Sequence, residues 1–390
     1  MDIKFSATII SVIFIIVSCN NPTKSKDHVA VLTSHPHEQT IRIDNFDPYI
    51  DSMQIIPLEA TNESFITHVE KILLTSDKRI VILNSTGILL FDSNGNFLFR
   101  MGKIGRAPGE YQKIYDICLD EQFLFAVDHN NNVLKYSLDN GQFIQQVTPF
   151  FPERYPTCIG IAPATEGGFF LFCCNPFNSN DFENDFYCLN QFDKKGNHIA
   201  RFLLREDYVV VSSVITQSYD NSYLIRPQTG DNICFRIKSG EVYPFVKIDF
   251  KEKGIPCRYI KFETNNGFDI QRFLYAPYYK LPIYFHETRN QFYFTCAGPK
   301  DANNIFFLIN KETLTGISWK VIGLSNPNLV IGYASDDSYF YYIFHDYNEY
   351  DKFNLPNDID PLKKYLITQK DIKLYGEDSN PLIVKIKFNI

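Results

Sequence analysis

Phe91-Asp-Ser-Asn-Gly-Asn-Phe97 decides the fold. An apolar residue leads into a polar run around one glycine and an apolar residue leads out, which is the signature of a β-hairpin turn. The same figure returns as YSLDNGQF around Gly141, FDKKGNHI around Gly196, FRIKSGEV around Gly240 and INKETLTGI around Gly316. Successive glycines are separated by 46, 55, 44 and 76 residues. Most of these intervals match a four-stranded propeller blade, whose period is roughly 40 to 50 residues.

Outward from each turn, two further apolar bursts precede the hairpin, so the unit holds four strands. HVEKILL, RIVILN, GILLFD and FLFRMG form the first unit, and DICLD, FLFAVD, NVLKYSL and FIQQV the second. The third, at 157 to 205, contains GFFLFCC and FYCLNQF, and the fourth, at 212 to 250, contains SYLIRP and ICFRI. The long interval is absorbed by an insertion from Lys251 to Lys280, read as a lid or rim, before a fifth unit that runs to Ile322. LVIGYA, SYFYYIF and the terminal LIVKIKF give the last unit three strands, interrupted by a polar, partly helical excursion around Asp358 to Lys373. MQIIPLE, from Met53 to Glu59, supplies the fourth, and closing a ring in this way removes the exposed edges of an open sheet. The predicted fold is therefore all-β, a six-bladed β-propeller closed by an N-terminal strand, with a short helical insertion near the C-terminus. A β-sandwich or β-helix is the structural alternative.

The N-terminus carries an apolar run from Phe5 to Val17. A spanning helix needs about 20 apolar residues, so this run reads as the core of a signal peptide. Ile16-Val17-Ser18-Cys19 resembles a bacterial lipobox, which implies cleavage before Cys19 and a lipid on its sulfur. Asn20 to Thr40 is polar and without periodicity. The predicted organisation is a lipoprotein signal peptide at 1–18, a flexible tether at 19–40 and the propeller at 41–390. The formal charge of −7 shows no clustered basic face, which argues against nucleic acid as a partner. Eight cysteines remain besides Cys19, with no C-x-x-C, and several lie in apolar strands, so bridges and buried thiols are both open.

Between the first two units stands GKIGRAPGEY, Gly102 to Tyr111. A P-loop requires G-x-x-x-x-G-K-[ST], and neither Lys nor a hydroxyl follows Gly105 or Gly109. A dinucleotide fingerprint opens a helix, which Pro108 between strands opposes. The stretch reads as the crossover from blade one to blade two, with Tyr111 packing and Glu110 accepting local hydrogen bonds. Arg106 and Glu110 are ligand-binding candidates if that crossover faces the channel mouth.

Taken together, the lipobox, the IIPLE strand, the GKIGRAPGEY loop and the five turns resemble the NHL-like six-bladed β-propeller lipoproteins of the Bacteroidetes type, across residues 50 to 390. Gly105, Pro108, Gly109, Glu110 and Tyr111 match that family's loop signature, and Ala107 stands where a glycine is usual. The resemblance implies a propeller in the cell envelope and assigns no reaction.

Metal patterns are sparse. The eight histidines form no H-E-x-x-H, and His35-Pro36-His37 lies in the expected tether. Asp92-Ser-Asn94-Gly-Asn96 and Asp128-His-Asn130-Asn-Asn132 imitate the start of a calcium loop. The first lacks the distal Glu and the second has Val133 where Gly is required, so turn chemistry explains both. No cofactor is expected, calcium being the one ion the pattern brings up. No G-x-S-x-G elbow or protease cysteine is present. Tyr275-Ala-Pro-Tyr278-Tyr279 and the tyrosines of 347–350 fall where the repeat is interrupted. Tyr278 and Tyr279 are binding candidates, because a ring offers apolar area with a polar tip, against a packing role under the long loops.

These readings predict a lipid-anchored, non-catalytic envelope propeller that binds a glycan, a peptide or a partner protein. The alternative is a propeller lyase or hydrolase with its site at the central channel. Asn20-Asn21-Pro22-Thr23 lacks an acidic run after the lipid cysteine, which favours a periplasm-facing anchor over surface exposure.

Overall fold

A computed structural model describes residues 31–390 except 45–46, 153–156, 175–185, 206–213, 227–231, 257–258, 260–271, 274, 281, 301–303, 321–331 and 345–378. Its sheets begin from an unusual strand pattern. In the first blade Ile80-Val81-Ile82-Leu83 and Ile88-Leu89-Leu90-Phe91 are continuous apolar runs with no polar alternation. Alternate side chains of a strand point to opposite faces. Val81, Leu83, Ile88 and Leu90 therefore pack with Ile117, Leu124 and Leu134 of the second blade. Ile80, Ile82, Leu89 and Phe91 pack with Ala334, Tyr341 and Ile383 of the last. Both faces are buried, so both demand apolar residues.

The same logic runs round the molecule as six antiparallel sheets, with further clusters between blades two to four, four and five, and five and six. The inner strands are Val69–Leu74, Ile114–Leu119, Thr157–Pro163, Ile215–Gln217, Ile283–Glu287 and Gly332–Ser335. Each packs on the next, and the sixth packs on the first. The ring is a closed six-bladed propeller, as the turns predict.

Closure follows the predicted route. Ile50–Pro57 is the outer strand of blade six and pairs antiparallel with Leu382–Phe388, Ile56 opposite Ile383 and Gln54 opposite Lys385. The expected boundary between tether and body, however, lies too late in the chain. Leu32–Ser34 adds a parallel fifth strand to blade four beside Val246–Ile248, and Thr40–Arg42 adds one to blade five beside Gly316–Ser318. A short helix, Pro36–Gln39, joins them. His37 packs against the Phe250 and Tyr279 rings, both centroids 6.0 Å away. Residues 32–40 are thus part of the propeller, because exposed sheet edges accept even three-residue strands of modest apolarity. The lipobox and the helical excursion at 358–373 lie outside the described residues.

Gly95 shows how closely the closing segment docks. Its φ is +90°, and a Cβ built there would sit 2.0 Å from the Pro57 carbonyl oxygen. The Gly95 carbonyl accepts from the Glu59 N–H at 2.8 Å, and the Glu59 carboxylate accepts from the Phe97 N–H at 2.8 Å. Gly95→Ala is expected to lose about 1–3 kcal/mol of stability through this left-handed turn and close approach, read as a lower urea midpoint. Gly316 differs from the other turn glycines: it opens the outer strand Gly316–Lys320, and the positive φ of that turn falls on Leu314.

Candidate functional site

The inner strands share an irregularity. In five of the six, pairing with the second strand slips by one residue near the start: between Val69 and Lys71, Ile114 and Asp116, Cys158 and Gly160, Ile283 and His286, and Gly332 and Ala334. Such bulges re-aim a side chain and gather at rims next to functional sites. The residues set loose are Glu70, Tyr115, Ile159, Tyr284 with Phe285, and Tyr333. Apart from buried Phe285, each is half-buried in a strand whose neighbouring positions are largely buried. They stand at one level where the inner strands begin, round the channel mouth. Tyr284 holds φ at +51°, a left-handed backbone that a bulky side chain adopts only under constraint from its surroundings.

Charged groups complete this ring. Burial raises the Glu70 carboxyl, against the pull of Lys113 and His68. Lys113 Nζ lies 5.3 Å from the centre of the Tyr115 ring. Arg226, buried where the second strand of blade four ends, is lowered to about 10 by burial, with Tyr284 opposing the shift. Burial also raises the hydroxyls of Tyr284 and Tyr333. Tyr115 packs against the core of blades two to four and Tyr333 against that of blades one and six, so the rim holds three half-buried phenol rings beside groups of both charges.

Below the rim lies a second level. Lys71 Nζ donates to Asp116 Oδ1 at 2.7 Å, joining blades one and two, and Asp116 Oδ2 accepts from the Ile161 N–H of blade three at 3.0 Å. Burial raises the Asp116 carboxyl, against the pull of Lys71 and of that N–H. His286 on blade five is 3% exposed, and burial lowers it to about 4, against a hydrogen bond to the Gly332 backbone. A base whose folded pKa falls below its unfolded value of about 6.5 contributes stability above pH 6.5 and loses it as the pH drops towards 4. The contribution is up to about 3 kcal/mol. Urea midpoints at about pH 7.5 and pH 4.5 should therefore fall further for the wild type than for His286→Gln. Equal losses would contradict a buried neutral imidazole.

At the other end the channel is closed. The Gln217 amide of blade four accepts from the Leu74 N–H and donates to the Leu74 carbonyl of blade one, both at 2.9 Å, spanning opposite blades. Tyr223 Oη accepts from the Leu119 N–H at 2.8 Å and donates to the Leu119 carbonyl at 2.9 Å. Both side chains are buried. Among the described residues, these two side chains close this end of the channel.

The GKIGRAPGEY crossover lies on the face where the inner strands begin, since it leads into one of them, Ile114–Leu119. It borders a recess of about 640 Å³ lined by Arg106, Glu110, Tyr111, Asp128, His129 and Gln146, among others. The His129 N–H donates to the Lys113 carbonyl at 3.0 Å, which links the recess to the rim. Glu110 is held by its own loop: it accepts from the Ala107 N–H at 2.9 Å and pairs with Lys103 at 3.1 Å. The Ala107 N–H and Lys103 hold its carboxyl below the usual range. A Cβ at Gly105 would fall 1.9 Å from Glu110 Oε2, so glycine there makes room for this carboxylate. Arg106 is exposed on the recess. Tyr111 is buried, its hydroxyl accepting from the Ile88 N–H at 3.2 Å.

The other candidates stand apart. Tyr279 stacks on Phe250 with centroids 4.5 Å apart and planes at 7°, and Tyr278 meets Tyr259 edge-on at 5.4 Å. Both belong to the packing of the Lys251–Lys280 insertion. The tyrosines of 347–350 lie outside the described residues. Asp92 and Asp128 accept from the N–H groups of their own turns at 2.8–2.9 Å, the geometry of Asx turns.

The rim was missed by reading along the chain, but a signal exists. Aligned on their inner strands, VEKILL, IYDICL, CIGIAP, IYFHE and GYAS carry Glu, Tyr, Ile, Tyr and Tyr at the second place. No curated protein matches the sequence. Among solved structures, the chain is similar to a Bacteroides fragilis protein named as exported, at 16% identity and a TM-score of 0.70, over 92% of this chain and 99% of that one. A Bacteroides thetaiotaomicron protein of unknown function shows 15% identity and a TM-score of 0.36, over 63% of this chain and 60% of that one. The family profile described as a domain of unknown function, DUF4934, matches residues 31–387, and the chain belongs to that family.

Proposed function

We propose that this protein is an envelope binding module that takes the end of an extended polar chain, a glycan or a peptide, into the channel mouth. The observation that carries the reading is the ring of bulged residues Glu70, Tyr115, Tyr284 and Tyr333 above a closed channel floor. Tyrosine faces stack on sugar rings and peptide planes while their hydroxyls select orientation. A floor stoppered by Gln217 and Tyr223 admits a chain end or a side branch and stops a threaded polymer. The apolar run and Ile16-Val17-Ser18-Cys19 support an NHL-like lipoprotein held to the membrane by Cys19 and facing the periplasm. The similarity to a protein named as exported is in keeping with that location.

The experiment is a thermal-shift screen of residues 31–390 against saccharides and peptides with free and with blocked ends. The reading expects a free-ended ligand to raise the melting temperature and blocked ends to abolish the shift. Tyr284→Ala and Tyr333→Ala should each weaken that ligand about tenfold, and Tyr278→Ala should leave it unchanged. A shift that survives both rim substitutions would remove the rim as the site.

A second reading, a channel enzyme, has one observation in its favour: Lys71, Asp116 and His286 sit at the level below the rim. It expects the shifting ligand to be cleaved or eliminated on incubation, with turnover lost in His286→Asn.

A further inference from the structure

We propose that Cys158 and Cys173 form a disulfide in the exported protein. They lie directly opposite one another on the first and second strands of blade three, and their sulfurs are 3.1 Å apart. Cross-strand partners have Cα atoms about 4.5–5.5 Å apart, inside the range of about 4.4–6.8 Å that a disulfide spans. The backbone is therefore already placed, and the bond needs only small side-chain rotations to bring the sulfurs to about 2.05 Å. Neighbouring Cys174 is turned away, its thiol donating to the Thr157 carbonyl at 3.4 Å. The register selects one pair from a cysteine-rich blade.

Both thiols are buried without measurable exposure, and burial raises the Cys173 thiol well above its ordinary value. Once blades two and four have closed over blade three, neither is accessible or readily ionised. The reaction thus belongs to the unfolded or partly folded chain after export. One cysteine thiolate attacks the disulfide of a protein oxidant of the envelope, giving a mixed disulfide and one oxidant thiol. The second cysteine thiolate then displaces the remaining oxidant sulfur. The chain loses two electrons and two protons, and the oxidant leaves as a dithiol. The product staples the first hairpin of blade three, a segment whose Phe169–Cys174 strand is buried throughout.

The test is disulfide mapping on the full chain exported to an oxidising compartment. The protein is denatured in alkylating agent without reductant and cleaved after glutamate, since Glu166 and Glu183 separate Cys158, the Cys173–Cys174 pair and Cys188 into three peptides. The expected result is one linked species of the first two peptides, lighter by two hydrogens than their sum and released by reductant. Cys174→Ser should retain the link and Cys173→Ser should abolish it. Recovery of Cys158 and Cys173 as alkylated thiols before reduction, or a link from Cys173 to Cys188, would overturn the assignment. Fragmentation of the linked wild-type peptides between Cys173 and Cys174 assigns the bond even where a variant fails to fold, and neither readout depends on a ligand.

Discussion

Glu287→Gln is expected to destabilise the propeller by about 3–5 kcal/mol, the cost of breaking a buried ion pair by removing one partner. Glu287 ends the inner strand of blade five with no exposed surface. Its carboxylate accepts from Arg236 of blade four, from Ser218 Oγ at 2.5 Å and from Lys311 Nζ at 2.5 Å. Arg236 lies over the Phe245 ring at 3.8 Å and also reaches Asp220 at 3.4 Å. Burial already lowers the Lys311 ammonium, so removing its counter-charge leaves it more poorly solvated still. The amide keeps the shape and loses the charge, which isolates the electrostatic part. Asp337, paired with Arg289 at 3.1 Å, is the control: both side chains are more than half exposed, so Asp337→Ala should cost under about 1 kcal/mol. Urea titration of both variants reads the comparison. A Glu287→Gln cost as small as the control's would show that the blade four to five seam does not rest on this carboxylate.

Deleting residues 31–57 should have a larger effect still, the loss of the folded monomer. The segment supplies the fourth strand of blade six and the outer parallel strands of blades four and five. Without it Leu382–Phe388 presents an unpaired apolar edge, and the cluster holding Ile50, Met53 and Ile55 against Val384 and Ile386 loses one wall. Folded domains are stable by only about 5–15 kcal/mol, so losing seven paired positions on one blade and three on each of two others exceeds the margin. Size exclusion should show aggregate in place of monomer. Deletion of residues 31–42 alone removes only the two parallel strands and should leave a folded, less stable monomer. A soluble, cooperative monomer from the larger deletion would contradict closure by the N-terminal strand.

The two deletions mark where the sequence was legible and where it was not. A hairpin turn is a local event, written in Asp, Asn and Gly within a few residues, so the five turns located the blades. MQIIPLE was readable because Met53 and Ile55 half-bury against the core of blades five and six, and Ile56 against that of blades six and one. Leu32–Ser34 and Thr40–Arg42 were not, since an edge strand of three residues draws its stability from partners more than 200 residues away. Arg106 and Glu110 lie in the crossover, but whether Glu110 faces a ligand or its own loop depends on the Ala107 N–H and Lys103. Tyr278 and Tyr279 showed only as aromatics in an insertion, and their partners Tyr259 and Phe250 come from the fold. The rim escaped notice because each blade contributes one residue, and a bulge has no composition of its own.

The most direct measurement of the central claim is a crystal structure of residues 31–390 with the free-ended ligand that gives the largest thermal shift. Density is expected for a chain end on the propeller axis, in contact with Tyr115, Tyr284 and Tyr333 and stopped above Gln217. Density on the outer rim of the blades, or over Tyr278 and Tyr279 with the channel mouth unchanged, would contradict the claim.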